Sequence, residues 1–187
     1  MTLTRLLLTG LIALAACSSP EKTARYVIDP PAAQQRLPNR LGLAELREVS
    51  LPQYASGQEI AYQTEDGALR STPDNIWADD PPRAMTLVLA RQISALSGAT
   101  VVAEPWPLSN GPDRRIEVRV EQLLARADGV VRLSGVYFVS AADLGGGRDV
   151  VRRFDLSVPI EGEGPPAIAA AQSRAIELLA ERIAQLG

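Results

Sequence analysis

In Arg115-Ile116-Glu117-Val118-Arg119-Val120-Glu121 each aliphatic side chain alternates with a charged one. Successive side chains of a strand point to opposite faces, so this run is satisfied by a strand with one face in a core and the other in water. A helix would scatter the same residues around its whole circumference. Asp128-Gly129 then turns the chain into Val130 to Ser140. Gly145-Gly146-Gly147 turns it again into Val150 to Ile160, where Phe154, Leu156 and Val158 share a face. Three long strands joined by short turns make an antiparallel meander, expected to be the rigid half of the molecule.

The preceding residues read as shorter strands and a helix. Leu41 to Leu51 suggests a strand ending at Pro52. Glu59 to Thr64 alternates and turns at Glu65-Asp66-Gly67 into Ala68 to Ser71, a hairpin. Asp79-Asp80-Pro81-Pro82 opens a helix: a carboxylate caps free amides while proline takes the first helical position. Met85, Val88, Leu89, Gln92, Ile93 and Leu96 follow at helical spacing, and Gly98 ends the run. Thr100 to Ala103 reads as a short interior strand. A second helix, from about Ala167 to Leu186, carries Ile168, Ala171, Ala175, Leu179, Ile183 and Leu186 as its apolar stripe. The expected class is α/β: a mixed, largely antiparallel sheet with two long helices packed against it. Spacing leaves open whether the helices share one face.

Ahead of this domain the chain changes character. Arg5 precedes an apolar run from Leu6 to Ala16, shorter than the ~20 residues a membrane-spanning helix needs. Small residues, Ala15 and Ala16, stand before the single cysteine, Cys17. Leu14-Ala15-Ala16-Cys17 resembles a bacterial lipobox, which implies residues 1–16 as a cleaved lipoprotein signal peptide and Cys17 as the lipid attachment. An unpaired thiol in an exported chain has no disulfide partner, and acylation accounts for it. Residues 17–39 are polar and proline-bearing and read as a lipidated tether, with one extended piece, Arg25 to Ile28, that joins the sheet. About 20 such residues, fully stretched, reach about 65 Å. Residues 40–187 form a single domain. Ser18 and Ser19 behind the cysteine favour the outer membrane, by resemblance to the sorting rule of enteric bacteria.

Composition removes most catalytic chemistry. The chain has no histidine, so imidazole catalysis and histidine metal sites are excluded. Its single lysine, Lys22, lies five residues past Cys17, a poor position for a buried amine nucleophile. Acylation consumes the thiol. A net charge of −3 offers no footprint for nucleic acid. No cofactor or metal is expected, and the chain reads as a non-enzyme. Asp79-Asp80 is the densest carboxylate pair, and capping explains it; a carboxylate-dependent hydrolase is the minor alternative. Gly145-Gly146-Gly147 precedes a strand and so is a turn, not a phosphate loop. Arg114-Arg115 and Arg152-Arg153 read as solvated charges guarding sheet edges, with contact to an acidic partner as the minority reading. Tyr54, Trp77 and Trp106 are the candidate partner interface, because aromatics make up 4% of the chain and dominate binding hot spots. Anchoring of loops to the core is the competing explanation.

Tyr26-Val27-Ile28-Asp29-Pro30, Leu51-Pro52-Gln53-Tyr54 and Ile76-Trp77-Ala78-Asp79-Asp80-Pro81, in that order and followed by the meander and a final helix, resemble the ABC-type transport auxiliary lipoprotein family, also called PqiC-like. Two departures stand out. Ala55-Ser56-Gly57-Gln58 replaces the Leu-Asp-Arg-Pro that often follows the tyrosine, and Ile76-Trp77 replaces Arg-Trp. The resemblance implies an outer-membrane lipoprotein with its domain in the periplasm. It also implies an MCE-domain protein and other transport components as partners, phospholipid movement between the two membranes, and a homo-oligomeric ring in some members. A lipoprotein regulator of a cell-wall synthase or secretion complex would use the same architecture.

Overall fold

A computed structural model describes residues 22–33, 35–142 and 148–186. The expected signal peptide, Cys17 and the Gly145-Gly146-Gly147 turn lie outside them. The elements are β1 (Ala24–Tyr26), β2 (Leu43–Leu46), α1 (Gln53–Ser56), β3 (Tyr62–Gln63), β4 (Leu69–Arg70), β5 (Asn75–Trp77), α2 (Pro81–Ser97), β6 (Thr100–Ala103), β7 (Arg114–Ala125), β8 (Val130–Ala141), β9 (Val150–Pro159) and α3 (Gly164–Gln185).

The meander forms as its alternation requires. β7 pairs antiparallel with β8 and β8 with β9, aligning Ile116 with Val139 and Leu133 with Leu156. Strict alternation fails at one place. The register shifts between Val120 and Gln122, leaving Glu121 as an extra residue in β7, a β-bulge. The phase slips by one, so Ile116, Val118 and Val120 enter the core before the bulge and Leu123 enters after it.

The sheet is mixed rather than largely antiparallel. β2 lies between β6 and β7 and is parallel to both, and β3 joins the far end of β7 in the same sense. For β2 and β6 the cause is α2, which returns the chain to the same end of the sheet before β6 begins, and such a crossover delivers parallel strands. Three further expectations need correction. Thr100–Ala103 forms β6, but at the sheet edge, bonded only to β2. The strand expected over Leu41 to Leu51 is regular only over Leu43–Leu46, although Arg47 and Ser50 still donate to Ile116 and Val118 carbonyls. Arg25 does lie in a strand, but β1 pairs with β5 in a separate two-stranded parallel sheet. The Glu65-Asp66-Gly67 hairpin forms as expected, pairing Tyr62 with Arg70 and Gln63 with Leu69.

Both long helices cover one face, and a single core lies between them and the sheet. Asp80 caps α2, its carboxylate accepting from the Arg83 N–H, with prolines in the first turn. Gly98 ends the helix at φ 69°, where its N–H donates to the Ser94 carbonyl; side-chain-bearing residues resist that backbone. Met85, Leu89, Ile93 and Leu96 of α2 are buried, as are Ala175, Leu179 and Ile183 of α3. Burying each large aliphatic contributes roughly 1.5–3 kcal/mol over leaving it in water, which is why these helices persist where isolated ones fray. α3 begins at Gly164, three residues earlier than spacing suggests, because Pro165 and Pro166 fit its first turn. The opposite face of the sheet carries charged pairs, among them Arg132 bidentate to Asp155 at 2.9 and 2.7 Å.

The expected tether is not free where it is described. From Tyr26 to Ala33 and from Gln35 to Asn39 the chain runs alongside α2, and helix carbonyls and side chains hold it there. Gln92 Nε2 donates to the Pro31 carbonyl at 3.0 Å, and Leu37 N–H to the Leu96 carbonyl at 2.7 Å. Asn39 reaches the Gly98 carbonyl at 3.3 Å. Asp29 N–H donates to Ser173 Oγ of α3 at 3.2 Å, and Ile28 is buried. Proline and polar composition suggested a linker, but alternate hydrophobic and carbonyl contacts to α2 fix this strap instead.

Candidate interaction surface

Two depressions flank the small β1–β5 sheet. Neighbouring residues of a strand face opposite ways, and Ile76 and Trp77 of β5 accordingly line different ones. The larger, about 760 Å³, is an open cleft bounded by Arg25, Tyr54, Glu59, Leu69 and Arg70. The smaller, about 170 Å³, is an apolar groove between β1 and α2. Tyr26, Val27, Trp77, Ala84, Leu87 and Val88 line it.

The three candidate aromatics do not form one patch. Tyr54, on α1, is half-buried, and its hydroxyl accepts from the Leu123 N–H at 3.3 Å beyond the bulge. Burial pushes its phenol pKa up, partly offset by that hydrogen bond. Trp77 is 6% exposed and forms the floor of the groove, and its backbone N–H donates to the Gln58 carbonyl. Trp106 sits between β6 and β7, with Nε1–H bonded to the Asn110 carbonyl at 2.6 Å and its backbone N–H to Glu45. Glu45 lies beside Arg115, so Trp106 is about 25 Å along β7 from Tyr54. Each aromatic is tied to its surroundings by a hydrogen bond, and only Trp106 lies in a loop; Tyr54 and Trp77 also border the depressions.

Most of the charged candidates have structural partners. Asp80 caps α2, and Asp79 pairs with Arg83. Arg115 pairs with Glu45 at 3.1 Å, and Arg153 with Glu121 at 3.2 Å. Arg115 lies on a strand paired on both sides, so it is a cross-strand partner rather than an edge guard; Arg152 and Arg153 do lie on an edge strand. Among the described residues no group of three or more acidic, cysteine or histidine side chains is placed to hold a metal. No helix among them is long and apolar enough to cross a membrane.

Sequence reasoning missed Val27 and Leu87, which are 64% and 45% exposed at the rim of the groove. A signal was present for Leu87. It lies off the stripe of α2, two positions from Met85, where an amphipathic helix should be polar.

A mixed sheet, two helices on one face and a strapped N-terminal segment define the class of protein. Solved structures share this fold. One, a crystal structure of an uncharacterized protein, matches at TM-score 0.67 with 24% identity, covering 80% of this chain and 94% of its own. Another, from Xanthomonas campestris, matches at TM-score 0.63 with 15% identity, covering 87% and 90%. The chain belongs to the ABC-type transport auxiliary lipoprotein component family, whose profile matches residues 26–184. The Intermembrane transport lipoprotein PqiC of Escherichia coli is 28% identical over 130 residues, 68% of each chain, and that of Shigella flexneri matches equally. Family membership places the protein among bacterial envelope lipoproteins.

Proposed function

We propose that this protein is an outer-membrane lipoprotein, acylated on Cys17, that holds its domain in the periplasm. There it acts as a docking subunit of an MCE-type system moving phospholipid between the inner and outer membranes. Its role is non-catalytic. The observation that carries this reading is the family match over residues 26–184 directly behind Leu14-Ala15-Ala16-Cys17. The relatives' description as intermembrane transport lipoproteins supports the lipid-transport role.

The strap refines the geometry. Because the chain is packed from β1 onward, only Cys17 to Ala24 separates lipid from domain, a span of at most about 25 Å. The domain therefore sits close against its membrane. Acyl chains contribute about 0.8 kcal/mol per buried methylene, so two or more hold it there stably. Fractionation of cells producing the wild type and Cys17→Ser provides the test. Wild type should sediment with outer membranes and crosslink to an MCE-domain protein, and the variant should lose both. Wild type in the soluble fraction with an unmodified thiol, or membrane-bound without any such partner, overturns the proposal.

A further inference from the structure

Five large apolar side chains are well exposed among the described residues: Val27, Leu69, Leu87, Leu108 and Val151. Isolated exposed aliphatics need no explanation, but three of these five border the two depressions that flank β1. Val27 and Leu87 rim the apolar groove over Trp77, and Leu69 lines the cleft on the other side. Arg25 lies in that cleft without an ion-pair partner among the described residues, and exposed Lys22 precedes it. Apolar tips beside solvated cations are what a membrane interface accepts: aliphatics enter the acyl boundary while ammonium and guanidinium groups remain among phosphates.

Chain length selects the occupant. Ala24 is within about 25 Å of Cys17 along the backbone, so whatever bilayer holds the acyl chains is within reach of this end of the molecule. We propose that the β1 end is the membrane-contacting face, with Val27 and Leu87 seated in the leaflet that holds acylated Cys17. This rests on the acylation proposed above and adds an orientation. The β6–β7 connection, carrying Trp106, then lies at the end away from the bilayer and is left for partners.

Trp106→Phe leaves Trp77 as the sole tryptophan, beneath the two aliphatics. The acylated Trp106→Phe protein is reconstituted in vesicles of phosphatidylethanolamine with a minority of phosphatidylglycerol, brominated high on the acyl chains. Flotation reads the anchor, and quenching of Trp77 reads the face. Strong quenching is expected, falling at least about threefold in Val27→Ser/Leu87→Ser at unchanged melting temperature. An unacylated Cys17→Ser chain should keep only weak, reversible partitioning into these vesicles at high lipid, too weak to survive cell fractionation, with the double substitution weakening it about tenfold further. Flotation with no Trp77 quenching would overturn the orientation while leaving the anchor intact. Failure to float would overturn the anchor, and the Cys17→Ser partitioning would then decide the face alone. Should the double substitution instead change only the oligomeric state in solution, the groove belongs to a second copy and the proposal fails.

Discussion

Gly135 of β8 stands opposite Val120, beside the bulge of β7. A Cβ built there would lie 2.2 Å from the Arg119 carbonyl oxygen, 2.9 Å from Phe154 Cζ and 3.0 Å from Val120 Cα. Two of these neighbours are backbone, and the third is a ring stacked on Tyr137 at 6.5 Å between centroids. None can swing aside, so Gly135→Ala must part β7 from β8 or displace Phe154 from the core. Overpacking typically costs about 1–3 kcal/mol, and contact with backbone puts this case near 3 kcal/mol. In a chain of this size each kcal/mol moves the melting temperature by roughly 2–4 °C, so a fall of about 6–12 °C is expected by circular dichroism. Gly57→Ala is the control: open space surrounds that position, and it should remain within about 0.5 kcal/mol of wild type. Hydrogen exchange should show amides from Arg119 to Leu123 losing protection first. A Gly135→Ala melting temperature within about 2 °C of wild type would refute the claim that the bulge depends on a bare Cα opposite it.

Asp80→Ala should cost about 1 kcal/mol in urea unfolding by removing the α2 cap, while Asp80→Asn should cost only a few tenths. Leu179→Ala, at a site with no exposure, should destabilise by about 2–5 kcal/mol with an unchanged denaturant slope. The Arg132 guanidinium holds the Asp155 carboxyl below its usual range. That contribution is whole above the unfolded value near 3.9 and is lost as pH falls further. The pair is exposed, so the melting gap between wild type and Asp155→Asn should be small and steady above about pH 5, then close below about pH 4; a gap that widens in acid would contradict this sign.

The elements whose side-chain pattern is strong were legible in the sequence. Arg115 to Glu121 could only be a half-buried strand, and Asp80, Pro81 and Gly98 bracketed α2 by local chemistry that does not depend on the rest of the fold. Strand direction was not legible, since alternation reads the same in parallel and antiparallel pairs. The bulge at Glu121 was hidden for a related reason: its register is set by the partner strand, not by the residues that bulge. The strap was misread because its prolines and polar groups are satisfied by α2 carbonyls and amides far along the chain. Of the candidate surface, aromatic scarcity pointed to Tyr54, Trp77 and Trp106, but only folding separates Trp106 from the other two.

Local covalent patterns therefore determined the meander and the helix ends, because alternation and capping each depend on a few adjacent residues. Tertiary structure alone decided the parallel entry of β2 and β3, the packing of residues 26–33 and 35–39 along α2, and the gathering of Val27, Leu69 and Leu87 around β1. Those features join residues dozens of positions apart, and their energies exist only once a shared core brings the distant faces into contact.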